Sequence, residues 1–135
     1  MVDILPTHQW PYQTTPYDRA TADIEFVDPA GTRATKHMLI DTGCPFEILI
    51  EETTALSMNF GIAPHRITTN FGIMDGYNMK VEVASLGYSR RILCWSNRKL
   101  GSVLSAEGFD GMIGLVVLKS FISYRGDKSG FALEF

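Results

Sequence analysis

The sequence has few cysteines, no long apolar run and no large excess of charge of either sign. Only Cys44 and Cys94 occur in 135 residues, which excludes a fold held by a disulfide framework and suits a reducing compartment. The 12 basic and 15 acidic residues give a net charge of −3, so no general attraction to nucleic acid or anionic membranes is expected. No segment has the roughly 18 consecutive apolar residues of a membrane span, and the N-terminus lacks signal-peptide character. We therefore expect a cytoplasmic protein with neither nucleic-acid nor membrane partners.

Metal-binding patterns are also missing. The three histidines are His8, His37 and His65, and together with the two cysteines they show no ligand spacing. The sequence thus predicts neither a metal site nor a cofactor.

Prolines separate the N-terminal segment from the rest of the chain. Residues 1–19 contain Pro6, Pro11 and Pro16, a composition that favours an extended arm over a helix or a central strand. Such an arm could cover a cleft, strengthen a dimer or be disordered. Residues 20–135 have the apolar content of one globular domain, because 45% of the chain is hydrophobic and no linker divides it.

The domain is dominated by strand patterns. Short apolar or alternating runs bounded by turn residues predict strands at 22–27, 34–40, 46–50, 66–71, 77–86, 88–95 and 131–135. Helical content is expected at 51–61 and after the buried strand that begins near residue 111, whereas 96–108 is predicted to be an irregular loop. The fold class is therefore mainly β with one or two short helices.

Three features then occur in a fixed order. Asp41-Thr42-Gly43 ends an apolar strand, where a carboxylate is costly unless something compensates it. A hairpin over 66–83 follows, with its tip predicted at Gly72, Ile73, Met74, Asp75 and Gly76, because Asp75-Gly76 is a favoured turn dipeptide. Near the end, Met112, Ile113 and Gly114 lead into the predicted helix. A terminal strand over 131–135 is a fourth feature. A single Asp-Thr-Gly triplet is weak evidence, but the ordered set of four is much stronger.

This order resembles that of the aspartic proteases, and in particular of their retropepsin-like branch, over residues 22–135. The resemblance implies a closed, barrel-like domain with Asp41 as the catalytic carboxylate. Thr42 would lock the active-site loop through its hydroxyl, and Gly43 would admit close approach of the backbone to water and substrate. Gly114 would pack against the loop, and the hairpin would be a flap over the cleft. Flap residues 72–76 together with Ile113 and Gly114 are accordingly expected to contact a polypeptide substrate.

The number of aspartates predicts an oligomer. This type of hydrolysis uses two aspartates that share a proton, yet the sequence has only one such triplet. We therefore expect a homodimer in which each chain supplies Asp41. Phe131, Leu133 and Phe135 could form part of the interface, since an uncovered edge strand would be a liability, or they could belong to the core of the monomer.

Two alternatives to a peptidase remain open on the sequence. The chain could be a catalytically silent member of the same fold that serves as a dimerisation or peptide-binding module. It could also be an unrelated β-domain with an accidental triplet. Cys44 occupies a position where the family usually has alanine or serine, so it could be a packing residue or an oxidisable group beside the site.

Overall fold

The computed structural model describes residues 6–14 and 18–135. Ten strands occur in this part of the chain: β1 (Thr7–Trp10), β2 (Thr21–Val27), β3 (Arg33–Asp41), β4 (Ile48–Ile50), β5 (Ile62–Thr69), β6 (Gly72–Val83), β7 (Tyr88–Ser96), β8 (Gly111–Gly114), β9 (Ser123–Gly126) and β10 (Phe131–Glu134). Three α-helices, α1 (Glu52–Met58), α2 (Arg98–Ala106) and α3 (Leu115–Leu118), and a 3₁₀ turn (Ala84–Leu86) complete it. The mainly β prediction is confirmed.

Six strands close into a barrel. Their order is β2-β3-β8-β4-β7-β6, and β6 pairs back onto β2 to complete the circle. The pairs β3–β8 and β4–β7 are parallel, whereas the other neighbours in the circle are antiparallel. β5 lies outside the circle and pairs with β6 alone among the described strands. The closed barrel expected from the sequence is therefore present.

The hairpin β2–β3 shows how local chemistry sets the barrel register. The Asp28 carboxylate accepts hydrogen bonds from the N–H groups of Ala30 and Thr32 at 2.9 and 2.8 Å. Gly31 supplies the positive φ of 87° that the turn requires. β3 is thereby aligned so that its last residue, Asp41, reaches the end of β8.

The barrel interior is the main hydrophobic core. Because strand side chains alternate between faces, every second residue points inward. The residues of this core that are fully inaccessible to solvent are Ala22, Phe26, Met38, Ile48, Ile50, Ala55, Met79, Cys94, Leu118 and Leu133, of which Ala55, Leu118 and Leu133 come from α1, α3 and β10. The core extends to both the first and the last strand of the described chain, since Trp10 and Phe131 also belong to it.

A second core lies between β4, β6, β7 and α2. It consists of Cys44, Leu49, Met74, Trp95, Leu100, Leu104 and Phe109. The irregular loop predicted for 96–108 is wrong, because Arg98–Ala106 form α2. Two signals for this helix are present in the sequence: Asn97 is a favoured N-cap residue, and Leu100 and Leu104 are four residues apart on the buried face. Gly101 and three serines within 96–105 are typical of a loop, and they outweighed these helix signals in the prediction.

A separate three-stranded sheet joins the two ends of the described chain. Its order is β1-β10-β9, so β10 has a neighbour along both edges and is not an uncovered edge strand in the single chain. Phe131 and Leu133 are 4% and 0% exposed, in agreement with the monomer-core alternative, and Phe135 packs against the core partly buried. Within the predicted arm, Thr7–Trp10 is a strand and Pro16 lies outside the described residues.

The outer strand β5 is irregular. Its pairing with β6 changes register between Ile62 and Arg66, and Pro64 lies within this irregularity. No helix within residues 6–14 and 18–135 is long and apolar enough to cross a membrane.

Candidate active site

Asp41 lies at the end of β3, where the chain leaves the barrel. It is half-buried, whereas the next two residues, Thr42 and Gly43, are exposed. The N–H of Gly43 donates to Oδ1 of Asp41 at 3.0 Å, and the N–H of Cys44 donates to the backbone carbonyl of Asp41 at 3.1 Å. These two bonds fold the loop around the carboxylate and orient it, since a charged acceptor strengthens a backbone hydrogen bond.

Two glycines allow this loop to close. A Cβ on Gly43 would stand 3.3 Å from Oδ1 of Asp41, which would crowd the oxygen that the Gly43 amide binds. A Cβ on Gly114 would overlap the carbonyl oxygen of Phe46 and stand 2.9 Å from that of Cys44. The N–H of Gly114 donates to the carbonyl of Glu47 at 2.9 Å. The loop after Asp41 therefore rests directly on the backbone of β8.

For Thr42, the locking of the loop by its hydroxyl stays a prediction. Its side chain is exposed, and within the described part of the chain its hydroxyl makes no hydrogen bond that would lock the loop. The bonds made by the backbone and carboxylate of Asp41 take that role in the single chain.

A cleft of about 410 Å³ opens beside Asp41. One side is formed by the loop and the strands next to it, and the other by the end of the β5–β6 hairpin. The lining residues are Asp41, Gly43, Cys44, Pro45, Phe46, Leu49 and Met112 on the first side and Thr68, Thr69, Asn70 and Phe71 on the second. Of these residues, only Asp41 carries a carboxylate. The cleft is thus a mostly apolar groove with one acidic group.

We call residues 62–83 the flap hairpin after the role predicted for it, and its turn differs from the prediction. Thr69 lies opposite Gly72, so the turn is at Asn70-Phe71 and not at 72–76. Gly72 has a φ of 98°, and the Thr69 hydroxyl accepts from the N–H of Phe71 at 3.0 Å and donates to the carbonyl of Gly72 at 3.1 Å. The turn is therefore stabilised by a threonine side chain that the sequence pattern did not single out.

Asp75 and Gly76 predicted a turn, but both residues lie within strand β6 and pair with its neighbouring strands. The Asp75 carboxylate pairs with the Arg66 guanidinium across the hairpin at 2.7 Å. A Cβ on Gly76 would stand only 2.8 Å from the Trp95 ring, so glycine is required there by packing. The dipeptide that is typical of a hairpin turn therefore lies inside β6.

Three other predicted cleft residues lie elsewhere. Met74 is fully buried in the second core, Ile73 is 61% exposed and does not line the cleft, and Ile113 faces the barrel interior. Alternation explains the outcome for Ile113, because its neighbour Met112 faces the opposite way along β8. For the hairpin, the cause is the position of the turn, which places Phe71 and not Ile73 or Met74 at the cleft. Met112 lines the cleft where Ile113 was expected, and Phe71 does so where Ile73 and Met74 were expected.

The sequence reasoning also missed Phe46 and Asn97. Phe46 follows the triplet closely and contributes an aromatic wall to the cleft. Asn97 lies just beyond β7 and contacts the flap hairpin, donating from Nδ2 to the Phe71 carbonyl at 2.8 Å. Their signals were an apolar residue close to the triplet and a helix N-cap, and neither is distinctive in a single sequence.

Burial controls the chemistry of the two thiols. Desolvation raises the pKa of the Cys44 thiol, and the nearby Asp41 and Glu47 carboxylates raise it further. Desolvation also raises the pKa of Cys94, well above its usual value, because this side chain is fully enclosed. Both cysteines are free thiols.

Comparisons with known proteins agree with this architecture. No protein-family model and no curated protein matches the sequence. Among solved structures, the chain is similar to a retropepsin-like aspartic protease from Rickettsia conorii, with a TM-score of 0.52 and 17% sequence identity. The match covers 88% of this chain and 95% of that chain. At this identity the similarity shows the fold, and the chain therefore has a retropepsin-like aspartic protease fold.

Proposed function

We propose that this chain is an aspartic endopeptidase that acts as a homodimer on polypeptide substrates. The observation that carries the proposal is the position of Asp41. It lies at the edge of a cleft covered on one side by the flap hairpin, its Oδ1 held by the Gly43 amide, in a chain with the fold of this protease class.

The chemistry requires a second carboxylate beside the first. One aspartate in ionised form accepts a proton from water, which attacks the peptide carbonyl carbon, and the other in protonated form donates to the leaving nitrogen. Two close carboxylates share a proton, so one pair supplies both forms at once. Since Asp41 is the only carboxylate that lines the described cleft, the second must be Asp41 of another copy. A two-fold axis near Asp41 would provide it.

The apolar walls of the cleft favour a substrate with apolar side chains. Phe46, Leu49, Phe71 and Met112 present carbon surface to a peptide that lies beside Asp41. An extended peptide between the active-site loop and the flap hairpin would be bound as an added strand, which leaves side-chain pockets to select its sequence. Gly72 and Gly114 would act indirectly, the first by shaping the flap turn and the second by seating the loop.

The test compares the wild type with Asp41→Asn on an unstructured polypeptide over a range of acidic to neutral pH. We expect cleavage by the wild type with a bell-shaped pH profile, and loss of cleavage in the variant without loss of folding or dimerisation. Asp75→Asn is the matched control, because it removes a carboxylate from the flap hairpin that lies outside the cleft. Equal cleavage by wild type and Asp41→Asn would end the proposal.

Mixing the two proteins tests the shared site directly. Excess Asp41→Asn should suppress wild-type activity, because hybrid dimers have an incomplete pair. Sedimentation of the wild type with a peptide inhibitor should detect a dimer. A chain that stays monomeric at high concentration with the inhibitor, or activity that the excess variant leaves unchanged, would contradict the dimer. A protein that dimerises but never cleaves would instead be the silent binding module.

A further inference from the structure

Asn97 contacts both the flap hairpin and helix α2. Its Nδ2 donates to the Phe71 carbonyl at 2.8 Å and to the Ile73 carbonyl at 3.2 Å. Its Oδ1 accepts from the N–H of Leu100 at 2.9 Å. The orientation of the amide is fixed by its partners, because carbonyls can only accept and a backbone N–H can only donate.

These bonds begin where the sheet ends. The ladder between β6 and β7 stops at the pair Asp75–Ser96, and the next residue of the chain, Asn97, turns away into α2. The carbonyls of residues 71 and 73 are spaced by two, as are successive acceptors along one edge of a strand. The Asn97 side chain thus donates to two carbonyls of the hairpin that lie beyond the end of the β6–β7 ladder, where the β7 backbone does not reach.

The other end of this connection is fixed in the body of the protein. Leu100 and Leu104 hold α2 in the second core and are 0% and 2% exposed. By contrast, Asn70, Gly72 and Ile73 at the end of the flap hairpin are exposed. A well-anchored helix therefore holds a weakly packed turn.

We propose that Asn97 is a positioning residue that latches the flap hairpin over the cleft. Release of its two bonds frees the turn at Asn70-Phe71 to open, and their formation returns Phe71 to the cleft wall opposite the Asp41 loop. The effect on catalysis rests on the proposed peptidase function, whereas the latch itself is a property of the hairpin and is measurable without substrate.

Asn97→Asp removes the bonds to the hairpin and keeps the helix cap. Aspartate is as good an N-cap as asparagine and keeps the oxygen that accepts from Leu100, but it has no Nδ2 donor for the two carbonyls. Asn97→Ser is a second cap-retaining variant whose shorter side chain cannot reach the hairpin. Asn97→Ala removes both functions and serves as the reference for a lost cap.

Amide hydrogen exchange followed by mass spectrometry reads the hairpin and the helix separately. In Asn97→Asp and Asn97→Ser we expect exchange in residues 66–74 to accelerate about tenfold, because hydrogen bonds of ordinary strength are lost, while residues 98–106 keep wild-type exchange. In Asn97→Ala both segments should accelerate. Wild-type exchange at 66–74 in both cap-retaining variants would overturn the proposal, as would equal acceleration of hairpin and helix in them.

Kinetics adds a second readout. If this chain cleaves polypeptides as proposed, Asn97→Asp should raise KM more than it lowers kcat. The reason is that closure of the hairpin over the substrate becomes less favourable while Asp41 is unchanged. A fall in kcat alone would contradict a latch. If no variant and no wild type cleaves any substrate, the peptidase proposal fails while the exchange result still decides the latch.

Discussion

Asp41 and Gly114 lie directly opposite each other where the parallel strands β3 and β8 end. The loop that follows Asp41 folds back over Gly114. Any side chain at this position would overlap the backbone of the loop. The position of the carboxylate is therefore set by backbone-to-backbone contact between this loop and the neighbouring strand β8.

This contact predicts a large effect of Gly114→Ala. The added methyl would overlap the Phe46 carbonyl, and overpacking of this kind costs about 1–3 kcal/mol or more, here with displacement of the loop. Denaturant unfolding should show the loss. Gly101→Ala is the matched control: it lies in α2 with 4.0 Å of clearance, so it should stabilise by about 0.5–1 kcal/mol. Similar effects of the two substitutions would contradict the packing argument.

Phe71 and Ile73 give a second matched pair on the flap hairpin. Phe71 lines the cleft, whereas Ile73 is exposed outside it. In the proposed peptidase we expect Phe71→Ala to raise KM for polypeptides with apolar side chains about tenfold, or about 1.4 kcal/mol, and Ile73→Ala to leave KM unchanged. Steady-state kinetics with one substrate series measures both. The opposite ranking would show that substrate contacts the outer face of the hairpin.

Acid should weaken the ion cluster on the barrel surface. The Arg33 guanidinium, 2.6 Å from Glu82, lowers the pKa of that carboxyl below its ordinary range. A lowered folded-state pKa adds stability above the unfolded pKa, about 4.3 for glutamate, and this stability is lost as pH falls through the folded value. The stability difference between wild type and Glu82→Gln should therefore be constant from pH 7 to 5 and shrink below pH 4.

Removal of the partner provides the control for this experiment. Arg33→Met should abolish most of the pH-dependent effect of the Glu82→Gln substitution, because the guanidinium causes the lowered pKa. Denaturant unfolding at several pH values measures the wild type, the two single variants and the double variant. A pH-dependent effect that persists in the Arg33→Met background would assign it to another group.

Cys44 should be a slow nucleophile despite its place beside Asp41. Burial raises the pKa of its thiol, and only the thiolate reacts. We expect iodoacetamide at pH 7 to modify Cys44 slowly in the folded protein and faster as pH rises, with Cys94 unmodified until unfolding. Mass spectrometry of quenched samples follows both sites. Rapid modification of Cys44 at pH 7 would instead support the oxidisable thiol that the sequence left open.

The features that sequence predicted correctly depend on patterns a few residues long. The strands around Asp41 and the strand-to-helix transition at Gly114 follow from apolar runs and glycines that local sterics explain. The order of Asp41, the hairpin and Gly114 along the chain carried the resemblance, and the expectation that they lie together came from that resemblance. The barrel itself was inferred from the resemblance and not from these patterns.

The failures have tertiary causes. Asp75-Gly76 has the sequence of a turn, but packing of Gly76 against Trp95 and the pairing of Asp75 with Arg66 keep it within a strand. Helix α2 depends on burial of Leu100 and Leu104 in a core that also contains Cys44, Leu49 and Met74 from distant segments. The sequence left the position of β10 open between an edge and the core, since nothing local indicates that the proline-containing arm returns to pair with it.

The irregular strand β5 limits where foreign backbone can add to this protein. The barrel is closed, so β5 is the strand that ends the larger sheet among the described residues. Pro64 has no N–H to offer and the ladder slips before Arg66, which makes the first half of this strand a poor template for another chain. The regular half, Arg66 to Thr69, ends at the cleft. The irregular half of β5 thus disfavours pairing with another chain. Its regular half, which borders the cleft beside Asp41, is the part of this edge where another backbone could pair.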